Sequence, residues 1–143
     1  MNKSQILSSL KEQKFPDKIL KAFEKVSREK FIPDNLKHIA YQDTALPLEK
    51  SATISQPYTI AFMLSLLELK RKQKILEIGS GCGYVLALLS EITKGEVYGI
   101  EIIKSLAEKS KQYLKNYKNI NVFSQDGSFG LPQKAPFDRI LIS

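Results

Sequence analysis

The stretch Leu76-Glu77-Ile78-Gly79-Ser80-Gly81-Cys82-Gly83-Tyr84 joins two apolar runs of different length, and its reading decides the fold. The run before it, Ile75 to Ile78, is short, contains two isoleucines and stops at Gly79, as a buried strand does. The run after it, Tyr84 to Ile92, is long enough for a buried helix. Glycines between a strand and a helix permit a tight turn and let a ligand approach the main chain without Cβ atoms in the way. The helix that follows offers free N–H groups and a partial positive charge.

Downstream, the same alternation repeats. Val97 to Ile100 reads as a second strand and Leu106 to Leu114 as a second helix, with Ser105 as its cap. Ile120 to Phe123 reads as a third strand and Phe137 to Ile142 as a fourth. Alternating strands and helices imply an α/β fold with a parallel sheet, here in strand order 3-2-1-4. The order reverses between strands 1 and 4, which puts a ligand crevice at their carboxyl ends.

The glycine spacing restricts the ligand. A dinucleotide turn is G-x-G-x-x-G, whereas this one is G-x-G-x-G followed by the bulky Tyr84 and Val85. No G-K-[ST] follows, so a phosphate-gripping loop is excluded. The shorter turn suits a nucleoside ligand without phosphate, such as S-adenosylmethionine, with Glu77, Gly79, Gly81 and Gly83 as its contacts. Glu101, at the end of the second strand, is placed to accept both ribose hydroxyls. Asp126-Gly127 follows the third strand and would reach the adenine end of the crevice. Each of these three features is unremarkable alone: a turn, a surface carboxylate, an Asp-Gly bend. Their order along the chain gives them a common purpose.

Upstream, residues 1–70 read as a helical segment and residues 71–143 as the ligand-binding α/β core. Ile6, Leu7 and Leu10 share one helical face, and Ile19, Leu20, Phe23 and Val26 form a second stripe after Pro16. Tyr41 to Leu48 reads as irregular, and Pro57 opens a helix running to about Leu69. Composition excludes several functions. One cysteine, Cys82, and one histidine, His38, argue against a structural zinc site and exclude an internal disulfide. No metal is expected. No apolar run is long enough to span a membrane. The first residues also lack the pattern of a signal peptide, so the expected compartment is the cytoplasm. The net charge of +7 comes from lysines dispersed along the chain. Lys11, Lys14, Lys18, Lys21 and Lys25 read as a solvated helix face, without the arginine and aromatic clustering of a nucleic-acid surface.

Several stretches resemble the protein-L-isoaspartate O-methyltransferase family. Arg28-Glu29-Lys30-Phe31-Ile32-Pro33 resembles its P-R-E-K-F-V-P, and Tyr41 to Leu48 its Y-x-D-x-x-L-P-I. Thr53-Ile54-Ser55-Gln56-Pro57-Tyr58 reproduces its T-I-S-Q-P-Y, the most discriminating element. The glycine turn, Glu101-Ile102, Asp126-Gly127-Ser128 and Ala135-Pro136-Phe137-Asp138 follow in family order. The resemblance implies a Rossmann-like class I methyltransferase fold. It also implies transfer of a methyl group from S-adenosylmethionine to the free carboxylate of L-isoaspartyl residues in damaged proteins, a repair reaction.

By the same resemblance Ser55 is the active-site serine, Thr53 and Ile54 line the cofactor, and Ile102 joins Glu101 at the ribose. A helix cap for the segment opening at Pro57 is a second role for Ser55. Two departures stand out. The family carries glycines in a G-x-G-x-T-I-S pattern, where this chain has Glu49-Lys50-Ser51-Ala52. Family members also continue past the fourth strand with a T-A-A-x-x-x-P loop that supplies much of the acceptor site, whereas this sequence stops at Ser143. The fourth strand is then expected to be an apolar edge, so that the chain either self-associates through it or is only marginally stable. Two alternatives accompany the repair reading: a non-catalytic S-adenosylmethionine-binding module, and a nucleic-acid methyltransferase.

Overall fold

The computed structural model describes residues 1–143. Two helices open the chain, α1 (Lys3–Glu12) and α2 (Asp17–Lys25). α1 starts in a capping box, the Asn2 side chain accepting from Gln5 N while Gln5 accepts from Asn2 N. Short 3-10 turns follow at Arg28–Phe31 and Asp34–Ile39. Leu46–Pro47 (β1) and Thr53–Ile54 (β2) form a small antiparallel ribbon inside a stretch whose sequence reads as irregular, with Pro47 opposite Thr53. A two-stranded ribbon is all edge, which is where a residue without an N–H is tolerated.

α3 (Pro57–Leu66) ends about a turn before the point that its apolar pattern suggests, because Leu67 to Gln73 turn back toward the sheet. The α/β core then runs β3 (Ile75–Ile78), α4 (Tyr84–Thr93), β4 (Val97–Glu101), α5 (Lys104–Tyr113), β5 (Ile120–Ser124) and β6 (Arg139–Ile142). α5 is capped at Ile103, so Ser105 lies inside the helix and is not its cap; its hydroxyl bonds instead to Glu49.

The four core strands are parallel in the order β5-β4-β3-β6, the expected 3-2-1-4 arrangement. β3 is central, with Ile78 opposite both Ile100 and Ile142. The Asp138 carboxylate accepts from Lys74 N at 2.7 Å and fixes β6 against the start of β3.

Alternation along the strands divides the apolar interior. Ile75 and Val97 face a cluster of 24 buried residues drawn from all five helices. Leu76, Tyr98 and Ile100 face the other way, into a cluster of 4 completed by Leu131. The large cluster joins residues from both 1–70 and 71–143. No helix is long and apolar enough to cross a membrane. No group of three or more His, Cys, Asp or Glu side chains is arranged to hold a metal ion.

β6 is the sheet edge beside β3, and its Ile140 and Ile142 side chains are 51 % and 73 % exposed. The edge also presents unpaired backbone N–H and C=O groups, which template pairing with another strand.

Candidate functional site

β3 delivers Glu77 and the glycine turn to the carboxyl end of the sheet, and β4 delivers Glu101 beside it. The Glu101 carboxylate accepts from Gly81 N at 2.8 Å and from Ile103 N at 2.9 Å. It is therefore bound to the turn and to the entry of α5, and each oxygen keeps acceptor capacity to spare.

Glu77 is 1 % exposed. Its Oε2 accepts from the Ser143 hydroxyl at 2.7 Å, while Oε1 has no partner. Burial pushes its carboxyl up to about 8; the Ser143 hydrogen bond opposes this and the nearby Glu101 charge adds to it. Burial likewise pushes the Cys82 thiol up to about 12, which leaves it a packed, unreactive group at neutral pH.

Two recesses meet at this turn. The smaller, about 40 Å³, is lined by Thr53, Ile54 and Ser55 together with Glu77, Gly79, Gly81 and Tyr84. The larger, about 350 Å³, is lined by Gly79, Ile100, Ile102, Asp126, Gly127 and Ile142. Gly79 lies in both, so the turn is a saddle between them. Asp126 is exposed, and its carboxylate, which accepts from Ser128 N, has its pKa lowered by that bond. Ile102 is 69 % exposed, an apolar side chain with nothing above it.

The expected residues thus fall on two recesses with a common floor. Thr53, Ile54, Ser55, Glu77, Gly79 and Gly81 line the first; Ile102, Asp126 and Gly127 line the second; Glu101 is tied to the turn between them. Gly83 lines neither. A Cβ there would approach Leu114 Cδ1 to 2.7 Å, so this glycine lets α5 pack against the start of α4. Gly81, at φ +56, has nothing within 4 Å of a Cβ position. Alanine at either position carries roughly 1 kcal/mol of left-handed backbone strain. Gly83→Ala should lose more stability than that, through the clash with Leu114, while Gly81→Ala should show the strain alone. Thermal melts of the two variants side by side check this, and equal losses would contradict the packing role of Gly83.

Ser55 does not cap α3. The helix is capped at Gln56 without a side-chain bond, and Asp43, from the preceding loop, accepts from Tyr58 N at 2.9 Å. Asp43 thereby has a structural role at the start of α3. The Ser55 carbonyl is held by Arg28, whose Nη1 donates to it at 2.8 Å.

Several lining residues escape sequence reasoning. Ser80 has a buried hydroxyl without a partner and lines the smaller recess, as do Met63, Val85 and Ser143. Met63 reads only as part of an apolar helix, and Ser143 reaches Glu77 because β6 pairs with β3. The family's glycine-rich approach to T-I-S is replaced by a strained one. Lys50 and Ser51 take left-handed conformations at φ 50 and φ 66, and Glu49 anchors the loop to α5 through Ser105 and Lys109.

A nucleoside joined to an amino acid fits these features. The partnerless Oε1 of Glu77 is a buried acceptor suited to an ammonium group. The Glu101 carboxylate is suited to a diol, and the open, apolar larger recess to a flat base.

Comparison with known proteins agrees with this chemistry. The family model for protein-L-isoaspartate (D-aspartate) O-methyltransferase matches residues 1–143. A protein-L-isoaspartate O-methyltransferase of Ignicoccus hospitalis is 43 % identical over 129 residues, covering 87 % of this chain and 61 % of that protein. One of Methanothrix thermoacetophila is 36 % identical over 147 residues, covering 100 % of this chain and 70 % of its own length. A solved structure of a protein-L-isoaspartate O-methyltransferase superposes with a TM-score of 0.91 at 29 % identity, covering 99 % of this chain and 47 % of that one. The same fold, with a TM-score of 0.82 and 24 % identity, occurs in a Plasmodium falciparum structure described as a beta-aspartate methyltransferase in complex with S-adenosyl-L-homocysteine. It covers 99 % of this chain and 73 % of that one. The chain thus spans about three fifths of the Ignicoccus protein and about half of the first solved structure.

Proposed function

This chain belongs to the protein-L-isoaspartate O-methyltransferase family, and on that premise we propose that it binds S-adenosylmethionine and methylates the free carboxylate of L-isoaspartyl residues in damaged proteins. The observation that carries the reading is the convergence of Ser55, Glu77 and the glycine turn on one recess. Glu101 holds the ribose hydroxyls, Asp126, Gly127 and Ile102 border the adenine, and Glu77 Oε1 accepts from the amino group. Thr53 and Ile54 close over the sulfur end. Residues 71–143 act as the cofactor core and residues 1–70 as the segment that brings the T-I-S-Q-P element over it. We assign the reaction to the cytoplasm, where Cys82 stays reduced.

Bound S-adenosylmethionine supplies a methyl group already activated by a sulfonium. The acceptor carboxylate is ionised at neutral pH and is itself a nucleophile, so the chain need not provide a general base. Its residues contribute position. Ser55 lines the smaller recess, where its hydroxyl can orient the acceptor carboxylate toward the methyl group. The apolar wall of Ile54, Met63 and Val85 excludes water that would compete for the methyl group.

The test is transfer of labelled methyl from S-adenosylmethionine to an isoaspartyl peptide, with the matching aspartyl peptide as control. Label on the isoaspartyl peptide alone is the expected result; label on neither, with cofactor binding intact in calorimetry, would favour a non-catalytic binding module.

The exposed edge of β6 supports self-association of this 143-residue chain. Size-exclusion chromatography should give a concentration-dependent apparent mass. Lysine at Ile140 or Ile142 should shift it toward monomer, because an edge charge opposes strand pairing. A mass that stays monomeric at all concentrations would contradict this.

A further inference from the structure

Arg28 is 0 % exposed, and no carboxylate pairs with it. Its Nη1 donates to the Ser55 carbonyl at 2.8 Å and its Nη2 to the Thr44 carbonyl at 3.0 Å. Its guanidinium carbon lies 5.7 Å from the centre of the Tyr84 ring, and Nε has no partner. Burying a charge this way is costly, and two carbonyls with one aromatic face offset only part of that cost. A buried methionine would fill similar space without that cost. Something other than stability accounts for a guanidinium here.

The contacts indicate what that is. Ser55 and Tyr84 both line the smaller recess. Ser55 belongs to the ribbon-to-α3 connection, whereas Tyr84 is the first residue of α4, directly after the glycine turn. Thr44 follows Asp43, whose carboxylate caps α3. Arg28 therefore touches two separate elements that line the recess, and the loop that braces one of them. We propose that Arg28 is the positioning residue of the site: it sets the location of Ser55 relative to the glycine turn, and so the alignment of acceptor and methyl group. It reaches neither substrate nor cofactor and acts through the Ser55 main chain. The inference rests on the functional reading above.

A lysine keeps the charge but cannot donate from two nitrogens in a fixed fork. Arg28→Lys should free the Ser55 carbonyl while leaving Gly79 to Gly83 in place. The expected result has two parts. In carbonyl-resolved NMR of the full chain, the Ser55 carbonyl shift moves and amides 53–56 exchange faster, with the glycine-turn resonances unchanged. In the methyl-transfer assay kcat drops, by as much as about 100-fold for a misplacement near 1 Å, while KM for S-adenosylmethionine changes little.

A Ser55 shift and exchange rates identical to those of the parent chain would overturn the proposal. So would a loss of activity no greater than the loss of folded protein measured by circular dichroism. Should the parent chain itself transfer no methyl, the repair reading fails, and the NMR result still decides the role of Arg28. If Arg28→Lys does not fold, Tyr84→Leu serves in its place. It removes the aromatic face and keeps both carbonyl bonds, so it should shift Ser55 less than the turn; the reverse pattern would also overturn the proposal.

Discussion

Glu77→Gln should raise the melting temperature of the ligand-free chain near pH 8 and at the same time weaken its affinity for S-adenosylmethionine. The buried carboxyl titrates at about 8 in the folded chain against an ordinary value of 4.5. Because the folded value is the higher one, the stability that goes with the neutral carboxyl is complete below pH 4.5. It drains away as pH rises toward 8. At pH 7 the loss is on the order of 3 kcal/mol, since each pKa unit is worth about 1.4 kcal/mol. Glutamine is neutral throughout, so the variant should lack this slope and melt roughly 10 °C higher at pH 8.

Binding runs the other way. An ammonium group meeting the unpaired Oε1 needs the ionised form, so affinity in the parent chain should rise between pH 6 and pH 8, with release of a proton. In the glutamine variant affinity should be weaker by about 10-fold to 100-fold and insensitive to pH over that range. Melting curves and calorimetry in buffers of different ionisation enthalpy measure both effects. A variant that binds as tightly as the parent and keeps its pH dependence would remove Glu77 from the site.

Glu101→Ala should weaken cofactor binding by about 100-fold or more, and unlike the Glu77 change it should also lower stability. The carboxylate satisfies Gly81 N and Ile103 N as well as standing ready for the ribose. Its removal leaves two backbone donors without a partner, each worth about 1–3 kcal/mol if water cannot reach it. The two substitutions part company on a ligand that lacks the amino acid. Affinity for 5′-methylthioadenosine should fall in Glu101→Ala and stay level in Glu77→Gln. Loss of that ligand in both, or in neither, would show that the turn does not divide the cofactor into a nucleoside half and an amino-acid half.

Much of the fold was legible from short-range pattern. The strand-turn-helix at Ile75 to Thr93 and its repeats carry their own periodicity, and chirality leaves few ways to arrange them. The order 3-2-1-4 and the juxtaposition of Glu101 with the glycine turn follow from that. What pattern could not convey was the purpose of groups whose partners are distant in sequence. Ser105 looks like a cap until Glu49 takes its hydroxyl. Ser55 looks like a cap until Asp43 is seen doing that work. Arg28 belongs to a motif whose resemblance gives it no task, and only the folded chain brings its side chain to Ser55, Thr44 and Tyr84. In each case the decisive contact spans more than ten residues, beyond the reach of any local rule.

The unequal division of the apolar interior by the sheet also shapes motion. The lesser side, closed by Leu131 and flanked by Phe137, rests on the same connection that carries Asp126 and Gly127 to the ligand groove. Little surface has to be wetted to lift that connection, so it should breathe far more often than the helical side unfolds. A base settling beside Asp126 would damp this breathing. The amide proton of Tyr98, on the strand beneath and outside the groove lining, would then exchange more slowly when the nucleoside groove is filled.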